Sequence, residues 1–324
     1  MTERVPSPEG VSRAAERVAP HVTRTPLLPL EWEGGRVWVK AECLQVGGSF
    51  KLRGAFNRLL QMSEVERACG VVAFSSGNHA QGIAIAARRL GIAATIVMPA
   101  DAPAVKRDAT AAAGARIVAY DRATESREEI GARLAAEQGA VLVPSFDDVD
   151  VIEGQGSVGV EIRDQLGSAP NTVLVPCGGG GLSSGIALAL PEAEVIVVEP
   201  QGWDDMAASL AAGVPVPVRE PPPPTRCDSL QTKLVSPLTL GALKANGARA
   251  LAVSEEEVVY AMAYAARHLR LVVEPGGAVA LAALLAGKAG KVSERTVIVL
   301  SGGNVDPVTY AAILAAQAAE ALPA

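Results

Sequence analysis

A chain of 324 residues is long enough for one large domain or two modest ones. Its net charge of −6, with no basic block, argues against a nucleic-acid partner, and although 49% of the residues are hydrophobic, no stretch is uninterrupted enough to span a membrane. The polar start over residues 1–10 has the character of neither a secretory signal nor an Arg-rich transit peptide, so a cytoplasmic location is expected.

Apolar runs alternate with alanine-rich ones along the chain, the pattern of an α/β protein built on parallel sheets. A helix is predicted over 10–19 and a strand over 37–40. Next comes Gly47-Gly48-Ser49-Phe50-Lys51-Leu52-Arg53-Gly54-Ala55, which sets Lys51 among small and apolar neighbours at the head of a helix over 50–61. Two readings are open there: a desolvated amine of lowered pKa that attacks carbonyls, or a packed stem with its head in water. A strand over 71–74 leads into Ser75-Ser76-Gly77-Asn78-His79-Ala80-Gln81-Gly82 and a helix over 79–90. That turn gathers hydroxyls and free N–H groups at a helix start, a setting that suits an anion, particularly a carboxylate.

Strands over 94–98, 116–119 and 141–144 follow, with helices over 102–113, 124–138 and 156–166. A strand over 172–175 precedes Cys177-Gly178-Gly179-Gly180-Gly181-Leu182-Ser183-Ser184-Gly185 and a helix over 186–190. The glycines let backbone approach a ligand and aim several N–H groups at one phosphate. Cys177 reads as a small packing residue, and Cys43, Cys69, Cys177 and Cys227 fall at no metal or redox spacing. A strand over 195–198 ends at Glu199-Pro200-Gln201-Gly202-Trp203-Asp204-Asp205, with a helix over 205–212. The proline-rich stretch 218–225 is an extended surface connection. Helices are predicted over 254–269, opened by a capping box from Ser254 to Glu257, and over 277–287. The last strand, 297–300, ends at Ser301-Gly302-Gly303-Asn304, a hydroxyl at the carboxyl end of a strand, where open α/β sheets bind ligands.

The four glycine- and serine-rich segments resemble the fold type II family of pyridoxal-phosphate enzymes, in its serine/threonine dehydratase and serine racemase branch. The resemblance runs from about Arg24 to Asp306, with the segments in the family's order. It departs at Gly47, where threonine is usual, and at Ala80 and Ser229, where glycine is usual. It implies a tryptophan-synthase-β-like α/β fold of open parallel sheets with helices on both faces. A large cofactor domain would comprise 1–69 and 148–324, and a small mobile domain 70–147.

The resemblance further implies pyridoxal 5′-phosphate as cofactor and assigns residues to it. Lys51 would bind its aldehyde and act as base for the α-proton; Phe50 would stack on its ring. Asn78 would meet the ring hydroxyl, Gly178, Gly179, Gly180, Gly181 and Leu182 the phosphate, and Ser301 the pyridine nitrogen. Ser75, Ser76, Asn78 and His79 would take the substrate carboxylate, with Arg127 as a further partner. Ser76 matches the opposite-face acid of racemases, but dehydratases carry the same serine. Glu199, the Trp203 carbonyl and Asp205 match a divalent cation site, whose all-oxygen ligation suits Mg²⁺, Mn²⁺ or Ca²⁺. The competing reading makes Asp204 or Asp205 a helix cap.

The expected activity is that of an ammonia-lyase converting a β-hydroxy-α-amino acid, L-threonine or L-serine first, to a 2-oxo acid and ammonia. Serine racemisation, or elimination from 3-hydroxyaspartate or phenylserine, is the alternative. A homodimer without a feedback-regulatory domain is expected. A nicotinamide site is weak, because Ser183 stands where the third fingerprint glycine belongs. A non-catalytic binding module leaves Lys51 without a purpose.

Overall fold

Two sheets organise the chain, and the strand ends they bring together define the site. A computed structural model describes residues 4–32, 35–75, 77–102 and 104–320. In chain order the elements are α1 (Pro8–Val18), β1 (Leu27–Trp32), β2 (Gly35–Ala41), α2 (Lys51–Leu60), α3 (Glu64–Cys69), β3 (Val71–Phe74), α4 (Asn78–Leu90), β4 (Ala94–Pro99), α5 (Ala104–Ala112), β5 (Arg116–Tyr120), α6 (Arg127–Gln138) and β6 (Val141–Leu142). There follow α7 (Val149–Leu166), β7 (Thr172–Pro176), α8 (Gly181–Ala189), β8 (Glu194–Pro200), α9 (Asp205–Ala212), α10 (Pro237–Asn246), β9 (Arg249–Val253), α11 (Glu255–Tyr264), α12 (Pro275–Leu285), β10 (Thr296–Leu300) and α13 (Pro307–Glu320).

One sheet has the order β1-β2-β10-β7-β8-β9 and the other β5-β4-β3-β6. Every pairing is parallel except β1 with β2. The central strands β7, β8 and β10 are apolar on both faces and buried, as strands covered by helices on each side must be. β1 carries Pro29 and sits at the edge, where a missing N–H is tolerated.

The structure departs from the expected elements for identifiable reasons. α7 starts at Val149, with the Asp148 side chain accepting from the Val151 N–H at 2.9 Å, well before the expected 156. Its glycines are not breakers: a Cβ on Gly154 or Gly156 would lie 2.7 Å or less from α2 or α8 atoms, so they permit close helix packing. β6 stops at Leu142, and Pro144 beyond it has no N–H to continue a ladder. The helix expected over 254–269 is α-helical only to Tyr264 and then widens into a π-turn over Ala265–Leu269, closed by Arg270 at φ 59°. The stretch 218–225 forms no helix or strand.

Beneath α2 lies a buried ionic network. Arg53 meets Glu42 at 2.8 Å and Glu161 at 2.7 Å, and Lys40 meets Glu161 at 2.6 Å. Burial lowers the Lys40 ammonium; it pushes Glu42 up, but Arg53, Lys40 and the Thr25 hydroxyl together hold that carboxyl below the ordinary range. Removing one member would strand its partner's charge in the interior.

Candidate active site

β2, β10, β7 and β8 run side by side in parallel, so the segments that follow them emerge at one edge of the six-stranded sheet. β3 and β6 are likewise parallel neighbours, which sets Ser75 and the start of α4 beside residues 143–146. Ligands in open α/β sheets bind at such carboxyl ends.

Lys51 opens α2, and its Nζ donates to the Ser145 carbonyl at 2.8 Å, 5.2 Å from the Phe50 ring centroid. Burial pulls this amine down to about 8, which leaves a usable fraction unprotonated near neutral pH. The head is therefore held by protein rather than by bulk water. The Phe50 N–H donates to the Ser301 carbonyl at 3.2 Å, and Ser49 bridges to Gly302, so the lysine and the end of β10 are tied together.

Asn78 begins α4 and is held at both ends of its amide. Its Nδ2 donates to Glu274 at 2.5 Å, and its Oδ1 accepts from Asn304 at 2.7 Å. A Cβ on Gly302 would fall 2.0 Å from the Glu274 carboxylate, so only glycine fits there. His79 is buried, with Nε2 2.9 Å from the Val143 carbonyl. That carbonyl can only accept, so Nε2 carries the proton and Nδ1, which has no partner among the described residues, is left as an acceptor. Burial and then the nearby Lys51 charge lower this imidazole to about 3, so it is neutral at working pH. Ser75 Oγ accepts from the Gly77 N–H at 3.2 Å. Ser76 lies outside the described residues. Arg127 is exposed, bonded to Glu128 at 2.8 Å and 5.6 Å from the Phe74 ring.

Gly178, Gly179, Gly180 and Gly181 link β7 to α8, with Gly180 at φ 85° making the turn. The N–H groups of Gly181, Leu182 and Ser183 form the first turn of α8 and have no backbone acceptor among the described residues. Ser301 is buried at the end of β10, and among the described residues its hydroxyl has no hydrogen-bond partner. Cys177 is buried and its thiol pushed well up by that burial, as a packing residue requires; all four cysteines are free. Ala80 joins the core behind α4, and Ser229 is exposed against Gly276.

The Glu199 segment resolves the capping question. Glu199 itself accepts from the N–H groups of Met206 and Ala207, both at 2.9 Å, and so caps α9 from the end of β8. Asp204 bonds the Gly202 N–H instead. Asp205, 2% exposed, has no hydrogen bond of good geometry to either carboxylate oxygen among the described residues, and burial pushes it up to about 7 against the weaker opposing pull of its own and the Val235 backbone N–H groups. The Trp203 carbonyl takes no backbone hydrogen bond among the described residues. Among them no cluster of three or more His, Cys, Asp or Glu side chains is placed to hold a metal, so a cation here would have two carboxylates and a carbonyl.

Glu274, Asn304, Ser145 and Phe146 were not singled out from sequence. Glu274-Pro275-Gly276-Gly277, a carboxylate just before a helix-opening proline, was a usable signal for the first. The others come close only through the fold.

A family model described as pyridoxal-phosphate dependent enzyme matches residues 18–302. The chain belongs to this family. Among its relatives, the L-threo-3-hydroxyaspartate ammonia-lyase of Saccharomyces cerevisiae is 40% identical over 321 residues, covering 97% of this chain and 98% of that protein. The enzyme of the same description from a Pseudomonas species is 44% identical over 312 residues, covering 94% and 97%. The structure of maize serine racemase superposes with a TM-score of 0.89 at 34% identity, covering 98% of this chain and 99% of that one. The fold is thus that of the type II pyridoxal-phosphate enzymes. The residues present fit the family's cofactor: a lysine with a depressed pKa, a helix start with unpaired N–H groups for a phosphate, and a serine hydroxyl free to meet a ring nitrogen. Among the described residues no helix is long and apolar enough to cross a membrane.

Proposed function

We propose that this chain is a pyridoxal-phosphate-dependent ammonia-lyase acting on a β-hydroxy-α-amino acid, with L-threo-3-hydroxyaspartate as preferred substrate ahead of L-serine and L-threonine. The observation that carries the reaction is the Lys51 amine, desolvated and set beside Ser301 and the α4 start. The substrate order rests on the two hydroxyaspartate ammonia-lyases, which match nearly the whole chain.

Lys51 would hold the cofactor, with the N–H groups of Gly181 and Leu182 on its phosphate, Asn78 on its ring hydroxyl and Ser301 on its ring nitrogen. When bound, pyridoxal phosphate supplies the electron sink that makes the α-proton acidic and lets the β-hydroxyl depart. Lys51 Nζ takes the α-proton, and the Ser145 carbonyl then accepts from the ammonium it becomes. Neutral His79 adds no positive charge beside that ammonium. The α4 start, with Ser75 and the N–H groups behind it, receives the substrate's α-carboxylate. A serine rather than a carboxylate at position 301 moderates the electron sink, which favours prompt loss of the hydroxyl over a long-lived carbanion. The β-hydroxyl leaves as water, and one water is then taken up to hydrolyse the released enamine, through its imine, to the 2-oxo acid and ammonia.

The layer over 70–147 is read as the moving part, since its strands lie within 71–142 and it meets the lysine through Ser145. We also assign a hard divalent cation to Glu199, the Trp203 carbonyl and Asp205, supported by the unpartnered buried Asp205 carboxylate. Racemisation is the second reading, favoured by the likeness to maize serine racemase. A panel of L-threo-3-hydroxyaspartate, L-serine and L-threonine, assayed for 2-oxo acid and for the opposite enantiomer, tests the proposal. Oxo acid should form fastest from hydroxyaspartate; enantiomer formation outpacing oxo acid on every substrate would replace it with the racemase reading.

A further inference from the structure

Phe146 differs from the other phenylalanines in what it packs against. Phe56 is buried in a hydrophobic core, and Phe50 and Phe74 lie against one, whereas Phe146 belongs to none of the hydrophobic clusters among the described residues. Its ring faces glycine backbone instead. A Cβ built on Gly179 would come 2.2 Å from the ring, and one on Gly181 would come 3.2 Å from Phe146 Cβ. The preceding residue, Ser145, supplies the carbonyl that accepts from Lys51 at 2.8 Å. One dipeptide therefore touches both the reactive amine and the loop between β7 and α8.

We propose that Phe146 is a cofactor-retaining residue, its ring covering the glycine loop and keeping water from the N–H groups that hold a phosphate. The proposal rests on reading that loop as the phosphate cradle. N–H bonds to a charged oxygen strengthen when water is excluded, because the local dielectric falls. A phenyl ring does this without offering a hydrogen bond of its own. It also explains why the loop is glycine at 179, where a side chain would displace the ring; at 181 a side chain would press on the Phe146 Cβ and backbone.

The test uses cofactor-free full-length protein, titrated by calorimetry with inorganic phosphate, pyridoxal phosphate and pyridoxal. Phe146→Ala is expected to weaken phosphate and pyridoxal phosphate about tenfold, the scale of one good aromatic contact, with pyridoxal unchanged. Phe146→Leu, which keeps apolar bulk, should recover most of the loss and covers the case in which the alanine variant folds poorly. Gly179→Ala should weaken phosphate binding alone but add little on top of Phe146→Ala, since the methyl then meets no ring. Phosphate binding in Phe146→Ala that equals or exceeds that of the unaltered protein would overturn the proposal, as would an equal loss for pyridoxal. Failure of the cradle reading looks different: the unaltered protein would itself bind no phosphate and hold pyridoxal as tightly as pyridoxal phosphate.

Discussion

Lys51 shows how burial sets both chemistry and stability at a single residue. Its folded value of about 8 lies below the ordinary 10.5, so between those pH values the unfolded chain binds more protons. Stability therefore rises with pH across that window, and below pH 8 the full cost of burying an ammonium is present. Lys51→Met should abolish lyase activity yet raise the melting midpoint of the cofactor-free protein at pH 7 by a few degrees, about 1–2 kcal/mol. The gain should shrink as the pH approaches 10. Thermal melts at both pH values check this, and an equal shift at each would show that the amine carries no such cost. His79 is the contrasting case: a carbonyl partner fixes its tautomer and burial keeps it uncharged, so it is not expected to contribute a titration to the pH–rate profile.

At the level of elements, the junction of β8 and α9 makes the clearest prediction. Glu199 uses one lone pair of each oxygen in capping α9, so it keeps a lone pair to share the proposed cation with the buried Asp205 carboxylate. Chelation should lower the melting midpoint and the activity together, while the cofactor's visible absorbance stays, because the contacts proposed for it lie at the starts of α2, α4 and α8 and at the end of β10. Magnesium, manganese or calcium should restore both, and Asp205→Ala should remove the response. An Asp205→Ala protein that still responds to chelator would place the cation elsewhere. Sequence pattern found β3 and α9 at their observed limits, because each is bounded by turn residues. It missed α3, although Ser63 and Glu66 form a full capping box, and it started α7 late by treating packing glycines as breakers. β1 and β9 escaped because edge strands are only part-buried, so their apolar pattern is weak.

Across the whole molecule, the segments that follow β3, β7 and β10, and the Lys51 segment at the head of α2, were legible because tight turns at strand ends demand glycine and serine whatever lies around them. Contacts made only by closure of the chain were not. Asn78 and Glu274 are 196 positions apart, and nothing local to either marks the pair. Phe146 likewise gains meaning only from Gly179 and Gly181, which a separate strand brings to it. The central claim is that Lys51 carries pyridoxal phosphate, and borohydride reduction of the loaded protein followed by peptide mapping tests it most directly. The account predicts the reduced cofactor on the peptide containing Lys51 and on no other lysine; label on a different lysine, or none while 2-oxo acid is still produced, would contradict it.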